Sequence, residues 1–199
     1  MKVIIVGGTG TIGRAVVQNL SPRHDVVVVG HSSGDFQVDI TATESIRQLF
    51  EQVGPFDALV SATGKVHFGA FEEMNATHYD VGLRSKLMGQ INLVLIGRDY
   101  INDRGSFTLT SGILSHDPIR FGSSASMVNA AIDGFVIGAA IEMPRGIRLN
   151  VVSPGIVEES VPAIGQFFLG HEPVPVSRVA LAYSKSVEGL RTGQIFRVE

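Results

Sequence analysis

The chain has 199 residues, 44% of them hydrophobic and 18% charged, and a formal net charge of −3. That length and balance suit one globular domain with a sizeable core and exclude a disordered chain, while so small a negative charge gives nucleic acid and anionic membranes nothing to attract. Without cysteine there is no disulfide framework, thiolate nucleophile or Cys-ligated zinc; no apolar run is long enough to span a bilayer, and the chain starts as a core strand rather than a charged leader, so a cytoplasmic protein is expected.

Val3-Ile4-Ile5-Val6 is apolar and β-branched without a break, the pattern of a strand buried on both faces. Glycines follow at positions 7, 8, 10 and 13, and Arg14–Leu20 has helical spacing. Strand, glycine turn and helix together aim backbone N–H groups and a helix N-terminus at a phosphate; the alternative is a tight turn with no ligand. A second strand, Asp25–Val29, ends in the flexible loop Gly30-His31-Ser32-Ser33-Gly34. A short third strand, Phe36–Val38, runs into Asp39-Ile40. Thr41 and Glu44 make a capping-box pair for a helix that buries Ile46, Leu49, Phe50 and Val53 and stops at Gly54-Pro55. Asp57–Ser61 is the fourth strand and turns at Ala62-Thr63-Gly64.

A long helix is expected from about Asn75 to Tyr100, with Leu83, Leu87, Ile91 and Leu95 on its apolar stripe. Gly105 precedes a strand at Ser106–Thr110, and Ser111-Gly112 opens a loop lasting to about Gly122. A helix from about Ser124 to Glu142 carries Ala130, Gly134 and Gly138 on one flat face, and Pro144-Arg145-Gly146 breaks it. Ile147–Val152 is the sixth strand, ended by Ser153-Pro154-Gly155. Val157–Leu169 is apolar, with room for a short helix. Ser177 caps a late helix with Val179, Ala182, Tyr183 and Val187 inward, and Gln194–Val198 is the last strand. Strands alternating with helices give an α/β fold: a doubly wound parallel sheet in a single domain spanning residues 1–199.

The spacing Gly7-x-x-Gly10-x-x-Gly13 departs from G-x-G-x-x-G and resembles the glycine turn of the short-chain dehydrogenase/reductase family. The resemblance covers nearly the whole chain. It implies a Rossmann fold and a nicotinamide dinucleotide held by Gly7, Thr9, Gly10, Thr11, Ile12 and Gly13. Asp39-Ile40 resembles the family's Asp-hydrophobic pair that contacts adenine. Ser61-Ala62-Thr63-Gly64 resembles its Asn-Asn-Ala-Gly turn beside the ribose. Ser111 stands where the family keeps its catalytic serine. IRLNVVSPG, Ile147–Gly155, is similar to I-R-V-N-x-V-x-P-G, which implies that Pro154, Gly155, Ile156 and Val157 face the nicotinamide. NAD enzymes carry an acidic residue at the end of the second strand for the ribose 2′-OH. Here that place reads Gly30-His31-Ser32-Ser33, and Asp35 lies beyond Gly34. Side chains able to donate to a 2′-phosphate favour NADP(H), with NAD(H) still possible; His31 as a plain exposed loop residue is the alternative.

The resemblance stops at the proton donor, which the family supplies from tyrosine in a Tyr-x-x-x-Lys motif. Aligned on Ala130–Phe135, the tyrosine place falls on Ala125 and the lysine place on Asn129. Tyr79, Tyr100 and Tyr183 all lie outside the interval from Ser111 to Asn129. Counting back three residues from Gly89, where the family has asparagine, gives Lys86. A lysine there, its pKa lowered by burial, is a candidate to carry a proton, hold the ribose or order water, the alternative being a side chain that snorkels to solvent. Lys86 and Ser111 are the candidate catalytic pair, with Ser124, Ser126 and His116 as further proton donors.

Three functions remain open. The chain is an oxidoreductase acting on a small, partly apolar carbonyl or alcohol with a changed proton donor, a non-catalytic NADP(H)-binding sensor or interaction module, or a site for another reaction on a nucleotide-like ligand. No metal site is expected, because the histidines are scattered, and no G-x-S-x-G elbow or phosphate-binding G-x-x-x-x-G-K-[ST] loop occurs. Val161, Ile164, Phe167, Phe168 and Leu169 form either an apolar lid over the substrate or core. The resemblance implies a homo-oligomer, dimer or tetramer, joined through the two long helices; the small-residue face could equally pack inside the chain.

Overall fold

The computed structural model describes residues 1–199. Seven strands form one sheet: β1 (Lys2–Val6), β2 (Asp25–Gly30), β3 (Phe36–Gln37), β4 (Phe56–Ser61), β5 (Ile101–Thr110), β6 (Arg148–Pro154) and β7 (Ile195–Val198). Their order is β3-β2-β1-β4-β5-β6-β7, and every neighbouring pair is parallel. The helices are α1 (Thr11–Leu20), α2 (Thr43–Val53), α3 (Ala76–Gly82), α4 (Gln90–Gly97), α5 (Ser123–Ala140), the single turn α6 (Val161–Ile164) and α7 (Val176–Glu188).

The unbroken apolar strands are explained by two cores, one on each face of the sheet. In β1, Ile4 and Val6 point into the core with Phe50 of α2, Leu93 of α4 and Ile132 of α5. Val3 and Ile5 point to the other side, with Val16 of α1 and Tyr183 of α7. Alternate side chains serve opposite faces, so both sets must be apolar. The chain leaves β1 for β2 and β3 on one side and starts β4 on the other. That reversal opens a crevice at the C-terminal ends of β1 and β4, the place where open α/β sheets hold ligands.

Four local expectations are corrected. The Thr41–Glu44 capping box does not form. Ala42 is the N-cap of α2, and Thr41 instead donates its N–H and Oγ1–H to Asp39 Oδ1 at 2.9 and 2.7 Å. A carboxylate two residues upstream outcompetes the helix end for this threonine. Ser177 does not cap α7 either: the helix begins at Val176, whose N–H donates to the Glu159 carboxylate at 3.2 and 3.4 Å. An acidic group at a helix N-terminus satisfies the open donor and the helix dipole together, and here it comes from the segment after β6. β5 begins at Ile101 rather than after Gly105. The register shifts between Phe56 and Ala58, and Arg104 takes φ +60°, so an irregularity is absorbed inside the strand.

The fourth correction matters most for the site. The long helix is not continuous α-helix: α3 passes into a π-helical segment, Leu83–Gly89, before α4. The wider turn rotates the inward face. Leu83, Leu87 and Ile91 become half-buried and Leu95 is exposed, while Gly82, Gly89, Gln90, Leu93 and Val94 turn inward. Ala130, Gly134 and Gly138 also lie outward on α5, and a Cβ added at Gly134 or Gly138 would meet nothing within 4 Å. Their flat face is therefore not used inside the chain. No helix is long and apolar enough to cross a membrane.

Candidate cofactor and active site

The glycine turn is built by contacts that no side chain could tolerate. The N–H groups of Gly7 and Gly8 both donate to the Val29 carbonyl, at 2.8 and 3.2 Å, which ties the turn to β2. Gly7 has φ +86°, and a Cβ there would lie 2.4 Å from the Ala62 carbonyl oxygen. A Cβ on Gly13 would lie 2.0 Å from the Gly7 oxygen. α1 thus starts immediately beneath the turn. Gly10 is its N-cap and no side chain caps it, which leaves the helix N-terminus to an anion.

Two cavities lie side by side above the strand ends and share Thr63 and Gly64. The first, about 590 Å³, is bounded by Gly7, His31, Asp39 and Ile40, and by Lys65 and Arg84. The last two escaped sequence reasoning. Their only signal was position, just after the Ala62–Gly64 turn and on the π-helical segment. Arg84 is paired with Asp80 at 3.0 Å. The hydrogen bonds from Thr41 hold the Asp39 carboxyl below the usual carboxylate range, with weaker help from His31 and Lys65. Asp35 takes no part, because its carboxylate accepts the Val28 N–H at 2.8 Å. Thr9, Gly10, Thr11, Gly13, Ser32 and Ser33 lie outside both linings; Ser32 and Ser33 are exposed beside His31.

The second cavity, about 280 Å³, brings together Ile12, Ala62, Lys86, Ser111, Ala125, Asn129 and the run from Pro154 to Val157. Lys86 is fixed at both ends. Its carbonyl accepts from Gln90 Nε2 at 3.0 Å, and the same buried amide pairs with the backbone of Thr110 through bonds of 2.9 Å. Its ammonium then reaches forward to donate to the Ser111 carbonyl at 2.9 Å. Gly64 permits this approach, since a Cβ there would sit 2.6 Å from Lys86 Cα. Burial lowers the Lys86 pKa to about 8, with Asp133 acting in the opposite direction. Snorkelling to solvent is thereby replaced by an inward seat.

On the wall of this cavity Ser111 Oγ and Asn129 Oδ1 are buried and have no hydrogen-bond partner, and the same is true of Ser124 Oγ and Asp133 Oδ1 elsewhere on α5. Buried polar atoms are nearly always paired, so the Ser111 and Asn129 oxygens on the cavity wall are free to accept or donate to whatever fills it. No tyrosine lines the cavity. Tyr79 bonds Ser123, Tyr100 packs on Phe50, and Tyr183 is buried against Thr110. The other proposed proton donors separate. Ser124 is buried on α5 but lines neither of the two cavities; Ser126 borders a third cavity beside Phe121; and His116 turns away to Glu199 at 2.9 Å. Of the apolar segment after β6, Ile164 and Phe168 close the second cavity with Val66 and Phe68. Phe167 meets Phe121 edge-on at 6.1 Å, and Leu169 is 84% exposed. Part of the segment thus borders the second cavity, and none of residues 161–169 is fully buried.

Residues 9–168 match the family model described as enoyl-(acyl carrier protein) reductase. Among solved structures, the protein lin1944 from Listeria innocua is similar over 100% of both chains, with 50% identity and a TM-score of 0.99. A small-chain dehydrogenase solved in complex with NADPH has 26% identity and a TM-score of 0.89, over 100% of this chain and 96% of that one. An acetoacetyl-CoA reductase of Allochromatium vinosum is 26% identical over 79% of this chain and 75% of its own. Glycine turn, strand order and sequence likeness agree, and the chain belongs to the short-chain dehydrogenase/reductase family.

Proposed function

We propose that the chain binds NADP(H) across the two cavities and oxidises or reduces a small, partly apolar alcohol or carbonyl compound. The observation that carries this is the inward seat of Lys86, an ammonium beside Ser111 in a cavity without tyrosine. The cofactor, when bound, supplies or accepts the hydride. The turn from Gly7 to Gly13, with Thr9, Thr11 and Ile12, takes its pyrophosphate. Asp39 and Ile40 take the adenine, and His31, Ser32 and Ser33 the 2′-phosphate. Ala62, Thr63 and Gly64 take the ribose, and Pro154 to Val157 the nicotinamide. Gly7 and Gly13 fit this reading, because any side chain would fill the cradle. Lys86 holds the proton at Nζ, Ser111 orients the substrate oxygen, and Ile164 and Phe168 exclude water.

Titration followed by cofactor fluorescence tests the first step. NADPH is expected to bind at least about tenfold more tightly than NADH, a difference of about 1.4 kcal/mol. No binding of either at millimolar concentration would sink the proposal. The missing tyrosine favours a second reading, a non-catalytic NADP(H)-binding module; tight NADPH binding with no oxidation of it across a carbonyl panel would establish that reading instead.

The chain is also proposed to form a dimer or tetramer through α4 and α5. Met88 and Leu95 on the long helical region and Met127, Ile137 and Ile141 along α5 are all exposed, and Gly134 and Gly138 are open to solvent; apolar patches mark association surfaces. Sedimentation should show an oligomer. Gly138→Arg, which meets no neighbour inside the chain, should yield folded monomer.

A further inference from the structure

We propose that Asn129 selects the substrate: its side-chain oxygen accepts a hydrogen bond from a hydroxyl on the carbon next to the reacting carbonyl, so the site takes a small α-hydroxy carbonyl compound rather than a simple ketone or aldehyde. The proposal rests on the reading of the second cavity as the place of chemistry.

Two polar side chains on the wall of that cavity are almost wholly buried and unsatisfied. Ser111 is 2% exposed and Asn129 3%, and neither Ser111 Oγ nor Asn129 Oδ1 has a hydrogen-bond partner. Such groups are rare, because a buried polar atom that has given up water and gained no partner is destabilising. The other polar side chains of the lining differ. Thr110 Oγ1 is engaged by the Ser61 carbonyl and by Tyr183, both at 2.6 Å. The Lys86 ammonium donates to the Ser111 carbonyl and reaches neither orphaned oxygen. Thr63 and Ser160 are only half-buried and stay within reach of solvent.

The two orphans come from neighbouring positions on the wall. Asn129 Nδ2 packs on Gly112, the residue after Ser111, where a Cβ would stand 2.9 Å from it. Ala125, one helical turn before Asn129 on α5 and on the same wall, offers only a methyl group. Val66, Ile113, Leu114, Ile156 and Phe168 add apolar surface. The donor that Asn129 Oδ1 lacks must therefore come from whatever fills the cavity. A lone carbonyl group cannot supply it. Its oxygen can accept from the Ser111 hydroxyl, but it has no hydrogen to give to Asn129. A hydroxyl one carbon away does, so two oxygens on one small molecule answer two orphans on one wall. The volume of about 280 Å³ and the apolar remainder keep that molecule small.

Hydroxyacetone and butanone differ only in carrying O–H or CH3 at the carbon in question. Each is titrated into the protein saturated with NADP+, which has no hydride to give. Hydroxyacetone should bind at least about tenfold more tightly than butanone, and Asn129→Leu should remove that preference while leaving the NADPH dissociation constant unchanged. In protein isotope-labelled at asparagine, the Asn129 side-chain amide signal is identified by its loss in Asn129→Asp, which keeps the shape. It should shift with hydroxyacetone and not with butanone. Equal binding of the two ketones, failure of both to bind, or a preference that survives Asn129→Leu overturns the proposal. A cofactor hydroxyl is the other source of the same chemistry: weaker NADPH binding in Asn129→Leu with the ketone preference intact would assign the oxygen to the ribose instead. Should Asn129→Leu fail to fold, the wild-type amide signal decides alone. A protein that binds NADPH and shows no preference for hydroxyacetone refutes this inference and leaves the functional reading standing; one that binds no cofactor refutes both.

Discussion

Lys86→Met is expected to lower turnover of any carbonyl substrate by about 10²–10⁴-fold, the loss that accompanies removal of a positioned proton donor. The NADPH dissociation constant should change far less, because the glycine turn and the first cavity are untouched. Steady-state kinetics with direct titration of NADPH separates the two. Lys86→Arg sharpens the result: guanidinium keeps the charge but does not release a proton near neutral pH, so it should bind cofactor and remain slow. The wild-type reduction rate should fall as pH rises through about 8, where Lys86 loses its proton, and that limb should vanish in Lys86→Met. Turnover unaltered by either substitution would remove Lys86 from the chemistry.

Gly13→Ala should destabilise the protein by about 1–3 kcal/mol, the usual cost of overpacking, and abolish measurable NADPH binding. The new Cβ would lie 2.0 Å from the Gly7 oxygen and 2.8 Å from Gly8 Cα. Both are backbone, so neither can rotate away, and α1 must back off from the turn whose N–H groups it presents. Gly134→Ala is the opposite case. It too is a helical glycine, but nothing stands within 4 Å, so the better helix propensity of alanine should raise stability by up to about 1 kcal/mol. Urea denaturation should give midpoint shifts of opposite sign. A Gly13→Ala protein as stable as wild type would show that α1 does not press on the turn.

Much of the site was legible because its signals are local. A glycine that must take φ +86°, or a strand whose alternate residues meet two cores, leaves its mark in consecutive residues. Those signals located the glycine turn, and the family resemblance assigned Ile12, Asp39, Ala62, Ser111 and the run from Pro154 to Val157, all of which line the cavities with Gly7. Lys65 and Arg84 left no such mark. Each is an ordinary exposed charge until the loop after β4 and the π-helical segment fold over the same crevice. Helix caps failed for a related reason: Thr41 and Ser177 are good local candidates, but Asp39 claims the first, and Glu159, from a distant segment, does the work expected of the second.

The sequence by itself determined the parallel sheet, its helices and the glycine turn, since periodicity and backbone freedom act over a few neighbouring residues. It also singled out Ala125 and Asn129, and both line the second cavity. Only the tertiary structure decided which way Lys86 faces. The π-helical segment rotates the long helix, Gln90 ties that segment to Thr110, and Gly64 lets it approach close enough for the ammonium to reach Ser111. Each of these contacts joins residues about 20 or more positions apart in the chain. Sequence spacing carries no record of such meetings, because they exist only once the sheet has set the distance between its strands and the helices laid across it.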